Sequence, residues 1–411
     1  MTAGKVVIIG TLDTKGVELH YIKEIVESSG LQTIVINAGI IGKPYFEPDI
    51  SNTSVAEAGG TTLTELIENG DRGQAINVMM KGSAEVVRQL FAAGQVGGMI
   101  SVGGSAGTTV GCYAMQVLPV GVPKIMVSTV ASGDTSPYVG VKDITMMYSV
   151  VDISGLNRLS RTILANAAFG ISGMVKGITQ STQSQAEEKT LLGATMFGVT
   201  TACVTKAREY LEERGYEVLV FHATGSGGRA MEGLIEAGYI KGVLDITTTE
   251  WCDELVGGVF GAGPLRLEAA GKAGIPQVAS VGALDMVNFG ASDTVPAKFE
   301  GRRLYKHNPT ITLMRTTLEE NRELGKIIAQ KLNQTLGPTA LFLPLKGVSA
   351  IDQEGQPFYG PEEDEALFQT LREEINPVRV TLVEINKNIN DEAFAVAMAE
   401  TLIQMLEAKE N

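Results

Sequence analysis

The sequence is short of positive charge, aromatic rings, cysteine and histidine. Lys and Arg number 33 against 47 Asp and Glu, a formal net charge of −14. A clamp on a nucleic-acid backbone needs clustered cations, so no nucleic-acid partner is expected. No apolar run reaches about 18 residues, the least that reads as a membrane span. The start, Met1-Thr2-Ala3-Gly4-Lys5, lacks the layout of a secretory signal. Cys112, Cys203 and Cys252 are odd in number, far apart and without a CxxC. They read as buried thiols of a reducing compartment, and the expected location is cytoplasmic. The three histidines, His20, His222 and His307, are also scattered, which argues against a zinc site. Aromatics make up 6%, with Trp251 the single tryptophan.

Glycine is the residue in excess, at 48 of 411, against an average of roughly 7%. There is no Gly-X-Y period, so collagen is excluded. With 44% apolar residues the chain can bury large cores, and its length suits two or three domains.

Short β-branched runs alternate with helical stretches. Lys5–Ile9, Thr33–Asn37, Gly98–Ser101 and Lys124–Ser128 read as strands. Lys15–Ser28, Ile76–Ala93, Ala106–Val117 and Asn157–Lys176 read as helices. Continuous apolar strands indicate parallel sheet covered on both faces. The polar stretch at 180–189 reads as a linker, after which the alternation restarts. The expectation is α/β: two open, doubly wound parallel-sheet domains at 1–180 and 190–411, with a cleft between them. The final helix, Asp391–Ala408, is a candidate to pack back on the first domain.

Ligands of such sheets bind beyond the carboxyl ends of the strands. After the first strand comes Gly10-Thr11-Leu12-Asp13-Thr14-Lys15-Gly16. Thr14 can cap the next helix, Lys15 can face an anion, and Asp13 can hold a hydroxyl or a hydrated metal ion. Gly103-Gly104-Ser105-Ala106-Gly107-Thr108 follows the third strand and reads as an anion cradle. Arg72, in Asp71-Arg72-Gly73-Gln74-Ala75, stands near a helix start where a cation is unfavourable without an anion. The hydroxyl-rich segment beginning Ser128-Thr129 suits ribose or phosphate.

In the second domain, Asp245-Ile246-Thr247-Thr248-Thr249-Glu250 ends a strand with three threonines between two carboxylates. His222, Arg229 and Glu232 belong to the neighbouring junction, and Asp285 and Asn288 to another strand end. Together they suggest an acid/base and hydroxyl-binding pocket lined by His222, Arg229, Asp245, Thr248, Glu250 and Asp285. The Gly-Ser-x-Gly of Gly104–Gly107 recurs at Gly225–Gly228, a weak echo between the halves. No role attaches to His307-Asn308 or to Met314–Thr317.

These strings taken together resemble one family. They include Gly-Thr-x-Asp-Thr-Lys, Asp-x-Arg-Gly-Gln-Ala, Gly-Gly-Ser-x-Gly-Thr, Phe-His-Ala-Thr-Gly-x-Gly-Gly-Arg, Asp-Ile-Thr-Thr-Thr-Glu and Ser-Val-Gly-Ala-Leu-Asp-Met-Val-Asn-Phe-Gly. The family is that of the N-terminal inhibitory region of the tomato mosaic virus resistance protein and its bacterial relatives, and the likeness covers nearly the whole chain. The resemblance implies two Rossmann-like subdomains, ATP with Mg2+ as ligand, and a homodimer. It carries the ATP contacts onto Asp13, Thr14 and Lys15; onto Arg72, Gly73, Gln74 and Ala75; onto Gly104, Ser105, Ala106, Gly107 and Thr108; and onto Ser128 and Thr129. Asp13 would hold the magnesium. Ala106 stands where the plant sequence has glycine.

The functional expectation is an ATP-binding two-domain protein. One form is an ATP-dependent transferase or ligase acting on a small molecule. In it Lys15 and Arg229 neutralise charge, and His222 or Glu250 moves the proton. The other form is a nucleotide-sensing module that presents a surface to a protein partner.

Overall fold

The computed structural model describes residues 4–181 and 189–410. Most of the linker expected at 180–189 lies outside them. The chain divides into two compact units, Met1–Ala186 and Glu187–Asn411. Among the described residues no helix is long and apolar enough to cross a membrane.

The first unit runs β1 Lys5–Gly10, α1 Gly16–Ser28, β2 Thr33–Asn37, α2 Asn52–Ala58, α3 Leu63–Asn69, α4 Arg72–Ala92, β3 Val96–Gly103, α5 Ser105–Gln116, β4 Lys124–Ser128, α6 Ser136–Val139, β5 Thr145–Tyr148 and α7 Arg158–Ser181. Its sheet is parallel, in the order β2-β1-β3-β4-β5. Successive strand residues point to opposite faces, and both faces are covered, which is why β1 is apolar from Val6 to Ile9. Val6 and Ile8 pack with Leu19, Ile22 and Val26 of α1 and with Leu164 and Ile171 of α7. Val7 and Ile9 pack on the other face with Val55, Met79, Val87 and Met115.

The second unit runs β6 Leu191–Met196, α8 Thr201–Glu212, β7 Glu217–His222, α9 Ser226–Glu236, β8 Gly242–Thr247, α10 Glu250–Val256, α11 Ala269–Ala273, β9 Gln277–Gly282, β10 Met286–Phe289, β11 Leu304–Asn308, β12 Ile311–Arg315, α12 Leu318–Leu332, β13 Thr339–Pro344, α13 Pro361–Glu374, β14 Val380–Ile385 and α14 Glu392–Glu410. Six strands form a parallel sheet in the order β14-β13-β9-β8-β6-β7. The final helix, a candidate to pack back on the first domain, packs on the second unit's own sheet. Phe394, Ala395, Met398 and Leu402 share a core with Leu192, Leu244 and Phe342. Among the elements absent from the sequence expectations, β10, β12 and β11 form a separate antiparallel sheet.

The two parallel sheets share a logic. In each, the second strand lies on one side of the first and the third strand on the other. The order reverses between β1 and β3 and again between β6 and β8, and such switch points are where open sheets hold ligands. The Gly-Ser-x-Gly echo does not respect this equivalence. It follows the third strand of the first sheet but the second strand of the other.

Candidate functional site

At the first switch point two loops meet, one after β1 and one after β3. In the β1 loop Thr14 N–H and Lys15 N–H both donate to the Thr11 carbonyl, at 3.1 and 2.7 Å, closing a tight turn. Thr14 does not cap α1. Its hydroxyl pairs with that of Thr11 at 2.6 Å, and the cap position falls to Lys15 without a side-chain bond. The Lys15 ammonium donates to the Ile153 carbonyl. Asp13 turns away from the switch point. Its Oδ2 accepts from Ile41 N–H at 2.8 Å and Gly42 N–H at 3.2 Å. Its Oδ1 is buried without a hydrogen-bond partner, against Gly39. One oxygen of the carboxylate expected to hold magnesium is therefore committed to backbone amides, while the other has no hydrogen-bond partner. Among the described residues no group of three or more His, Cys, Asp or Glu is placed to hold one.

After β3 the chain turns at once into α5. A methyl group on Gly103 would stand 2.8 Å from Gly107 Cα, so glycine is required by that close approach. Gly104 occupies the cap position with no side-chain bond. Thr108 N–H returns to the Gly104 carbonyl at 2.8 Å. Among the described residues the N–H groups of Ser105, Ala106 and Gly107 have no protein acceptor. These are the groups that carry the positive end of the helix dipole. Thr108 Oγ1 and Ser128 Oγ, both buried, bond at 2.6 Å and tie α5 to the end of β4. Thr129 N–H donates to the Gly103 carbonyl at 3.2 Å.

The Arg72 segment is different. It forms the first turn of α4, and Asp71 fills that helix start by accepting from Gly73 N–H at 2.8 Å and Gln74 N–H at 3.0 Å. Arg72 and Gln74 are exposed and Ala75 is buried. The amides of Gly73, Gln74 and Ala75 are thus committed within the protein.

In the second unit the expected pocket residues separate into two kinds. His222 and Arg229 are exposed, and His222 stacks on Phe197 with ring centroids 5.4 Å apart. Asp245, Thr248, Glu250 and Asp285 are buried. Arg266, which the sequence reading missed, stands at the centre of the carboxylates. Its Nη2 and Nη1 donate to the two oxygens of Asp245 at 2.6 Å each, and its Nε donates to Glu250 Oε2 at 2.6 Å. Nη1 also reaches Glu232 Oε1 at 3.2 Å. The remaining Glu250 oxygen accepts from Gly225 N–H at 2.7 Å and Gly228 N–H at 3.1 Å. Glu250 thus fills the start of α9 as an anion would. Gly228 must be glycine, because any Cβ would strike the Glu250 carboxylate. Burial pushes the Glu232 carboxyl up, with Arg266 opposing. The three threonines are equally committed. Thr247 and Thr200 share a hydroxyl bond at 2.7 Å, Thr248 donates to the Ser280 carbonyl at 3.1 Å, and Thr249 to that of Met286 at 3.2 Å.

Asp285 belongs to a second buried group. Its Oδ2 accepts from Ser349 Oγ at 2.8 Å, and its Oδ1 has no hydrogen-bond partner. Arg315 donates to Asp364 at 2.7 Å and lies 3.6 Å from Asp352. Burial, reinforced by the negative charge of Asp352, pushes Asp285 up to about 7 and Asp364 up to about 9. Burial also lifts Asp253 to about 7, although Asn288 donates to it.

The comparisons agree with this architecture. The description "Uncharacterised protein family (UPF0261) N-terminal domain" matches residues 4–180, and its C-terminal-domain counterpart matches 189–406. The chain belongs to the UPF0261 family. A UPF0261 protein of Clostridium tetani is 62% identical over 403 residues, 98% of this chain and 99% of that one. Another, from Rhizobium meliloti, is 46% identical over 96% of this chain and 97% of its own. The ToMV resistance protein Tm-1(GCR237) of Solanum lycopersicum is 40% identical over 98% of this chain, which spans 56% of that protein. Among solved structures, a UDP-N-acetylglucosamine 2-epimerase from Rickettsia bellii covers 99% of this chain and 96% of its own at 9% identity. Its TM-score of 0.24 is too low to carry a functional argument.

Proposed function

We propose that the first unit binds a phosphate-bearing nucleotide, ATP by the family resemblance. Its phosphates would lie at the start of α5, beside the turn after β1. The observation that carries this reading is a contrast between the two Gly-Ser-x-Gly junctions. At α9 the amides of Gly225 and Gly228 are taken by Glu250. At α5 those of Ser105, Ala106 and Gly107 have no protein acceptor among the described residues. Helix starts of this kind suit anions, and the Lys15 ammonium adds a full charge in the adjoining loop.

The test is calorimetry with ATP on the native chain and on Ala106→Asp. A carboxylate in the first turn favours the helix by about 0.3–1 kcal/mol, so the fold should hold and the melting temperature should not fall. The same charge repels phosphate, and the ATP Kd should rise about tenfold or more. Absence of binding by the native chain would sink the reading, as would an Ala106→Asp variant that binds equally well.

A second reading, binding without turnover, is favoured by one observation. Three carboxylates of the expected pocket, Asp245, Glu250 and Asp285, are buried within the second unit. An enzyme would have to rely on exposed groups such as His222 and Arg229. ATP bound but never consumed, across a screen of small acids and sugars, supports the binding module. Consumption that stops in His222→Ala restores the transferase or ligase.

A further inference from the structure

We propose that residues 346–360 form a strap over the strand ends of the second unit, latched through the buried cluster of Asp285, Asp352, Asp364 and Arg315, and that the strap lifts to uncover an apolar pocket that Phe358 fills when it is down. The device is independent of the nucleotide reading of the first unit.

The strap joins β13 to α13. Its first arm is fastened to the loop after β14. Lys346 N–H donates to the Lys387 carbonyl at 3.1 Å, and Asn388 Nδ2 donates to the Gly347 and Ser349 carbonyls at 3.2 and 3.1 Å. Its middle, 353–357, is exposed along its length. Its return arm is held by Arg315, whose Nε donates to the Phe358 carbonyl at 2.8 Å and whose Nη2 donates to that of Gly360 at 3.2 Å. Arg303 adds a bond to the Tyr359 carbonyl at 3.0 Å. Beneath the strap the fully buried Phe358 packs with Phe197 and Val199 from the loop after β6, with Ala283 from the turn after β9, and with Met286 and Leu313. This small cluster stands apart from the unit's main cores, under one long loop. Phe197 carries the exposed His222 stacked on its ring, so the pocket would open at the strand ends, where such sheets hold ligands.

The latch is a matter of charge. Asp285, Asp364 and Asp352 all act on the Arg315 guanidinium, so the cluster is electroneutral only when two of the three carboxyls carry protons. Asp364 and Asp352 are hydrogen-bonded carboxyl to carboxyl, which itself requires a proton between them. Asp352 and Ser349 belong to the strap, Asp364 to α13, Arg315 to β12, and Asp285 stands just before β10. Asp285 is also faced by the Cys252 thiol of α10, on which Asp253 and Glu320 act as well, and Glu363 stands beside Gly360. Burial first, then the charge of Asp352, raises Asp285 to about 7 and Asp364 to about 9. With the strap down these two carboxyls hold protons. With the strap lifted and the carboxyls wetted, they release them. Rising pH therefore favours the lifted strap, from about pH 4 up through 7 and then 9.

The experiment is hydrogen exchange on the full chain between pH 5 and 9, corrected for the intrinsic pH dependence of exchange. Its strap probes are the amides of Ala350, Phe358 and Gly360, which donate to the Val199 carbonyl, the Ile351 carbonyl and Asp352. Its reference is the amides of β8 in the sheet. In the native chain the strap amides should exchange at least about tenfold faster than those of β8, because the strap opens without the unit unfolding. Their corrected rate should rise at least about tenfold from pH 5 to 7. Asp285→Asn and Asp364→Asn each replace a protonated carboxyl by a neutral amide, and each should reduce that rise. The double variant should hold it within about threefold. Strap amides that exchange no faster than β8 at any pH would overturn the proposal, since the strap would then open only with the whole unit. A rise of native size in both single variants would overturn it as well, since the latch would then not lie in these carboxyls.

Discussion

Arg266→Met is expected to unfold the second unit at temperatures where the native chain is intact. The guanidinium is almost fully buried, with Asp245, Glu250 and Glu232 around it. Burial alone would disfavour its charge, but the three carboxylates more than offset that and hold it protonated. Removing the cation strands the carboxylates without a countercharge. Breaking a buried pair in this way costs about 3–5 kcal/mol. For a unit of this size each kcal/mol moves the melting temperature by about 2–4 °C, so a drop of about 6–20 °C is expected by scanning calorimetry. A drop under about 2 °C would show that the network is dispensable. Glu232→Gln should be far milder, because burial already favours the neutral form of Glu232.

The second large effect is on pH. Asp253 and Asp285 are raised to about 7 and Asp364 to about 9, all above the 3.8 of an ordinary aspartate. Between those limits the folded state holds protons that the unfolded state has released. The stability from these groups is therefore full below about pH 4 and is lost as pH rises through 7 and then 9. Melting of the second unit should shift steadily downward from pH 6 to 9. Asp285→Asn keeps the oxygen that accepts from Ser349 and cannot ionise, so it should flatten the slope between pH 6 and 8. A melting temperature that rises over this range would contradict the raised titration of these carboxyls.

Much of the architecture could be read from the chain. Lys5–Ile9, Gly98–Ser101 and Leu191–Met196 are mainly β-branched or apolar, because parallel strands covered by helices have no wet face. β5, Thr145–Tyr148, escaped because it is short and its ends are exposed. β10 to β12 escaped because the antiparallel pairing of Met286 with Arg315 leaves no continuous apolar run to notice. The loops at Gly10–Lys15 and Gly103–Thr108 were legible through their glycines and their place after strands.

The roles of the second unit's carboxylates were not legible. Asp245 held the one clue, a charge inside the otherwise apolar strand Gly242–Thr247, which demands a partner. That partner, Arg266, lies 21 positions away in a loop, and arginine is usually exposed. The threonine run misled for a related reason. Sequence shows that hydroxyls are present but not that each is spent on a carbonyl or a neighbouring hydroxyl of its own fold. Arg315 and Thr316, which carried no assignment, bond to each other at 3.0 Å within the Asp285 group.

Glu250 at the start of α9 has a consequence for how the two units respond to the cell. A tethered anion acts at an effective concentration of about millimolar or above, set by the chain and not by the surroundings. The α9 junction therefore carries its own counterion as part of the polypeptide, and a rise or fall in free phosphate does not change its occupancy. Under the reading proposed for α5, the other junction is left to whatever diffuses in. One half of the molecule would then be constant by construction, and the other would vary with the nucleotide pool.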